Sequence, residues 1–387
     1  MEVFRYIPLS ACASSVSERA HLRPERHVAR RLGSGALGLL LTLLVTVGCI
    51  GANSAWADTP DVEHPSEYLR ATGFPGSLVA ADLASWREHV PDIEQIEIPS
   101  SADGSDQPAL FYHSGSDEEK PLLLVLHSWS INYLQNIDIP IAEFAVANDW
   151  VFMHPDFRGE NDGSPESTAS DLAISDMQDA LEYARENANV DASRIYLLGY
   201  SGGAMNALHL ASRNPDVFAG VSVWVPVYDL IPWYRWNAEH GEPYAGEIAG
   251  ACGGEPREGT EAHEECVQRS PRAHLPDVAG ELRVLIAHGI DDQTVPPAQA
   301  IHAFNDLAEE EDRVPQAQID RLMETRQVPE ALRERSSHQQ NEFPYFAEAD
   351  APVVLHLQSG PAELVLFEGG HDMLYRPGLE WLARQTR

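Results

Sequence analysis

The chain has 387 residues, 43% of them hydrophobic, which is enough for one large core or for a core with a substantial insertion. Its formal net charge is -34, and Lys120 is the single lysine among 26 basic residues. A surface this acidic repels nucleic acid and anionic lipid and argues against both as partners. It suits either high ionic strength, where salt screens the self-repulsion, or simple solubility.

In chain order, Arg19, Arg23, Arg26, Arg30 and Arg31 precede an apolar run over 36–50, and Ala55-Trp56-Ala57 follows it. Residues 1–57 therefore read as a secretory signal segment cleaved before Asp58, with an uncleaved anchor as the alternative. The apolar run is shorter than the roughly 20 residues of a spanning helix, so no stable membrane insertion is expected after cleavage. The product is expected to be exported, to the periplasm or outside the cell. Cleavage leaves two of the four cysteines, Cys252 and Cys266, on either side of a short polar loop. In an oxidising compartment they are expected to form a disulfide rather than two free thiols. His263 is a lone imidazole beside them, so no metal site is expected.

Residues 58–120 read as an N-terminal extension with the first antiparallel strands. A helix is expected around Leu78–Glu88, and Ile93–Ile98 alternates as a strand whose hairpin partner is Gln107–Gly115. Continuous apolar runs follow at Pro121–Trp129, Trp150–Phe157, Arg194–Ser201, Phe218–Val227, Leu282–Gly289 and Ala362–Gly370, the pattern of strands buried on both faces. Helical patterns at Ser170–Ala188, Gly202–Pro215 and Gly378–Gln385 separate several of them. Such alternation predicts an α/β fold, a mostly parallel central sheet with helices on both faces. Two segments break the rhythm, about 228–281 and 305–350, and are expected to be excursions beside the sheet.

The approach to the second of those helices reads Gly199-Tyr200-Ser201-Gly202-Gly203, a G-x-S-x-G sequence on a strand-to-helix turn. A serine hydroxyl there needs a base, an orienting acid and an oxyanion hole, and in this arrangement the acid and then the histidine follow in the sequence. Asp291 and Asp292 follow the penultimate apolar run and His371 follows the last, both at carboxyl ends of expected parallel strands. The His288-Gly289-x-x-Asp292 spacing favours Asp292 over Asp291, and Asp372 is a further rival adjoining His371 in sequence.

Together with Val295-Pro296 and Gly370-His371, these motifs resemble the α/β-hydrolase fold in its prolyl-oligopeptidase-like catalytic-domain branch, over about Leu122–Arg384. The resemblance implies a catalytic domain over 121–387, with Ser201 as nucleophile, Asp292 as acid and His371 as base. It also implies an oxyanion hole from the backbone N–H of Gly202 and of a residue in His127-Ser128-Trp129-Ser130, Trp129 being the choice. The Trp129 indole either walls an acyl pocket or packs. Tyr200, Trp233 and Trp236 are candidate pocket residues, although the aromatics of Tyr228–Trp236 would equally anchor the excursion. Asp156 and Arg158 read as a loop-stabilising pair.

The expectation is therefore a secreted serine hydrolase working through an acyl-enzyme, with no cofactor. Its substrate would be a small ester, an acylated saccharide or a short peptide. Relatives that are peptidases carry a β-propeller that 58–120 is too short to supply, which puts a carboxylesterase ahead of a prolyl-oligopeptidase-like peptidase. An acyltransferase and a non-catalytic binding module are the other readings.

Overall fold

The computed structural model describes residues 61–76, 78–336 and 343–387. The proposed signal segment 1–57 lies outside the described residues. Among the described residues nine strands form one sheet: β1 Glu94–Pro99, β2 Asp106–Tyr112, β3 Lys120–Leu126, β4 Val151–Pro155, β5 Val190–Tyr200, β6 Gly220–Trp224, β7 Val284–Gly289, β8 Val353–Ser359 and β9 Ala362–Phe367. Their spatial order is β1-β2-β4-β3-β5-β6-β7-β9-β8. The central run from β4 to β9 is parallel throughout, whereas β1, β2 and β8 pair antiparallel.

The described residues hold twelve α-helices: α1 Leu83–His89, α2 Ile139–Ala147, α3 Asp171–Asn187, α4 Gly202–Arg213, α5 Leu230–His240, α6 Tyr244–Ala251, α7 Glu261–Gln268, α8 Ala298–Leu307, α9 Gln316–Thr325, α10 Glu330–Arg333, α11 Pro344–Glu348 and α12 Tyr375–Ala383. Strand pleating divides the core into two. Leu122, Leu124 and Leu126 of β3 join Ile174 of α3, Leu208 of α4 and Phe304 of α8 in one cluster. Leu123 and Val125 point the other way, towards Trp86 of α1, Phe144 of α2 and Trp381 of α12. Both faces of the sheet are therefore covered by helices, as the continuous apolar runs require.

Local signals set the element ends. Ser170 caps α3 by accepting from the Ala173 N–H, and Asp82 caps α1 by accepting from the Ser85 N–H. The hairpin forms with Glu94 opposite Phe111 and Pro99 opposite Asp106. Outside the sequence expectation lie α2, whose apolar residues surround the helix, α8 after the acid loop and the edge strand β8. The excursion between β6 and β7 carries α5, α6 and α7. Cys252, at the end of α6, is bonded to Cys266 in α7 with a Cα–Cα distance of 5.3 Å.

Candidate active site

Ser201, Asp292 and His371 stand just past the carboxyl ends of β5, β7 and β9, where open parallel sheets gather their chemistry. Ser201 sits at φ 56°, ψ -118°, a conformation L residues rarely adopt, between the end of β5 and the first turn of α4. Backbone proximity explains its glycines. A Cβ on Gly199 would lie 2.4 Å from the Gly203 carbonyl oxygen, and one on Gly203 would lie 2.0 Å from that of Leu126.

The three side chains form one hydrogen-bonded chain. His371 Nε2 lies 2.9 Å from Ser201 Oγ, and its Nδ1 lies 2.7 Å from Asp292 Oδ2. A carboxylate only accepts, so Nδ1 carries the hydrogen and Nε2 is left to accept from the serine hydroxyl. Asp292 is fully buried, yet its other oxygen accepts from the N–H groups of Thr294 (2.7 Å) and Val295 (2.9 Å). His288 Nε2 adds a contact to Asp292 Oδ2 at 3.1 Å and another to the Val295 carbonyl at 2.9 Å. Burial alone would raise the Asp292 carboxyl, but the His371 and His288 imidazoles together hold it well below the usual carboxylate range. Neither rival acid bonds His371. Asp372 accepts from the Thr72 N–H (3.0 Å) and hydroxyl (2.6 Å), and Asp291 is exposed.

The amides proposed for the oxyanion hole adjoin one another. A Cβ on Gly202 would lie 2.7 Å from the Trp129 nitrogen, and neither N–H has an acceptor among the described residues. The Trp129 ring is 2% exposed; its Nε1–H donates to Glu247 Oε2 at 2.7 Å, and it packs edge-on against Trp233. Such a site can hold an oxyanion beside a serine whose proton has an acceptor.

The candidate pocket residues separate. Tyr200 is buried and its hydroxyl donates to the His371 carbonyl at 3.1 Å, which braces the histidine loop. Trp233, 1% exposed, donates from Nε1 to the Thr294 carbonyl and so braces the acid loop. Trp236 is not part of this site. Although it stands only one turn beyond Trp233 on α5, Trp236 lines a different cavity of about 800 Å³ with Tyr228, Arg235, Arg272 and His302. Arg158 does not pair with Asp156; it pairs with Asp103 and Asp176, while Asp156 accepts from the Tyr133 N–H. Glu247 and Tyr244 beside Trp129 have no motif in the sequence that would have found them. Among the described residues no cluster of three or more His, Cys, Asp or Glu side chains is placed to hold a metal, and no helix is long and apolar enough to cross a membrane.

The prolyl oligopeptidase family model matches residues 143–323, a span that contains Ser201 and Asp292 and ends before His371. Acylamino-acid-releasing enzyme 2 of Oryza sativa subsp. japonica is 26% identical over 222 residues, which is 54% of this chain and 28% of the rice protein. Among solved structures, the acylaminoacyl peptidase of Pyrococcus horikoshii aligns with a TM-score of 0.45 at 13% identity, over 56% of this chain and 34% of its own. Prolyl oligopeptidase B from Galerina marginata aligns with a TM-score of 0.46 at 17% identity, over 56% and 31%. The chain thus spans about a third or less of the length of each of these proteins.

Proposed function

We propose that this chain, a serine hydrolase carrying a prolyl oligopeptidase family domain, cleaves short peptides or acylated amino acids through an acyl-enzyme on Ser201. The observation that carries the reading is the unbroken hydrogen-bonded chain from Ser201 Oγ through His371 to Asp292, next to two adjacent amides without acceptors. Ser201 Oγ attacks the acyl carbon as His371 Nε2 takes the hydroxyl proton. The Gly202 and Trp129 N–H groups hold the oxyanion. His371 then gives the proton to the departing amine, and water repeats the sequence to release the acid. Asp292, held ionised, keeps the imidazole in the required tautomer and stabilises its charged form.

The family match and the rice relative weight amide bonds ahead of esters. Ester cleavage is the second reading. The same triad and adjacent amides serve an ester carbonyl as well as an amide one. Export through the segment ending at Ala57 and work at high ionic strength complete the proposal; the net charge of -34 supports the latter.

The test uses the full chain in molar salt, with an acetyl-amino-acid p-nitroanilide, a p-nitrophenyl ester and the Ser201→Ala variant. The expected result is turnover of the anilide with a loss of at least about 10³-fold in the variant. Equal turnover by wild type and variant would sink the assignment, and turnover of the ester alone would shift it to a carboxylesterase.

A further inference from the structure

The segment before α1 is pinned at two places. At one end Arg70 bridges Leu374, Ala71 N–H donates to the Met373 carbonyl (2.9 Å), and Thr72 holds Asp372, the residue after His371. At the other end Ala80 bridges Gln135, and Val79 exchanges hydrogen bonds with Asn136, its N–H with the side chain and its carbonyl with the backbone, both at 3.0 Å. The first pin lies on the loop that carries the proposed base. The second lies on the loop that continues from the proposed oxyanion residues.

Between the pins lies a cavity of about 440 Å³ lined by Ala71, Thr72, Phe74, Leu78, Ile137 and Tyr200. It adjoins the reaction centre, because Tyr200 precedes Ser201 and its ring centroid lies 5.2 Å from that of His371. The lining carries no carboxylate and no cation. Its two hydroxyls are occupied, Thr72 with Asp372 and Tyr200 with the His371 carbonyl. Leu78 and Val79, 36% and 44% exposed, are the large hydrophobic side chains left open to solvent among the described residues. Leu78 lines this cavity and Val79 the neighbouring one that shares Phe74, so the exposed Leu78 side chain, with Phe74 and Ile137 beside it, offers an apolar wall next to the reaction centre.

We infer that this segment builds an apolar subsite, in which Phe74 and Leu78 receive an uncharged aliphatic or aromatic substituent of the substrate. The inference rests on the reading of Ser201 as nucleophile for its catalytic meaning, while the binding itself does not require turnover.

Two measurements keep these apart. In the first, kcat/KM is compared for p-nitrophenyl hexanoate against acetate, and for hexyl against ethyl acetate. Leu78→Asp, at a half-exposed position, and Phe74→Ala are each expected to lower one of the two long-to-short ratios about tenfold, whereas Glu182→Ala on α3 leaves both ratios unchanged. In the second, the neutral fluorophore N-phenylnaphthylamine is titrated into Ser201→Ala protein. Saturable binding, displaced by hexanol and weakened about tenfold by Leu78→Asp, is expected. Unchanged ratios in both variants, or fluorophore binding indifferent to them, would overturn the subsite while leaving the hydrolase intact. Binding that responds to the variants in a protein with no wild-type turnover would keep the subsite and discard the nucleophile.

Discussion

Two carboxylates serve this site from opposite sides, Asp292 behind His371 on the acid loop and Glu247 behind Trp129 on the excursion, and the deeper of them is the more firmly ionised. Asp292 is fully buried, but two imidazoles and two backbone N–H groups face it. Glu247 on α6 is only half-buried, yet burial raises its carboxyl above the ordinary range. The Trp129 indole N–H pulls it down, and the nearby charges of Asp162 and Glu160 push it further up. Depth therefore does not decide the charge at this site; the partners facing each group do.

The largest expected effect breaks the better-held side. Asp292→Asn leaves the amides of Thr294 and Val295 an oxygen to donate to but removes the charge behind His371. We expect kcat to fall about 10³–10⁴-fold with the fold retained, checked by steady-state kinetics beside circular dichroism. Cleaving the staple that carries the other side comes next. Replacing Cys252 and Cys266 by serine reopens the loop between them and is expected to lower stability by about 3 kcal/mol in urea titration. His288→Leu removes one donor to Asp292 and leaves the Val295 carbonyl unpaired, for about 2 kcal/mol of unfolding free energy.

The smallest effect has the opposite sign. The Glu247 pKa is raised on folding from 4.5, so its neutral form is favoured and its ionised form opposes folding. Glu247→Gln is expected to stabilise the protein at pH 7 by less than about 1 kcal/mol, the gain disappearing below pH 4.5 in melting curves. Asp292 runs the other way. Its pKa is lowered from 3.8, so its contribution stands above that pH and is lost as the pH falls below it.

The acid-loop side was the more legible in the sequence because backbone geometry constrains it. Gly199 and Gly203 cannot carry a Cβ, and Asp292 and His371 occupy the strand ends that apolar runs announce. The excursion side depends on contacts between distant residues. Nothing near Trp236 indicates that α5 turns it towards His302, and nothing near Glu247 indicates that Trp129, more than a hundred residues earlier, points at it. Arg158 was misassigned for the same reason: its partners Asp103 and Asp176 come from remote segments, and neighbouring Asp156 faces another way. The strand β8 and the helix α2 were missed on other grounds. β8 is an antiparallel edge strand directly after a charged stretch, and α2 is apolar around most of its circumference and so has no periodic stripe to detect.

Ser201 occupies a region of φ and ψ in which glycine is at ease and serine is not, at a cost of order 1–3 kcal/mol. Ser201→Gly should therefore yield a protein that melts higher and does no chemistry. A screen of this chain for thermal robustness alone would favour losing the hydroxyl, so any search for sturdier variants has to score turnover and melting together.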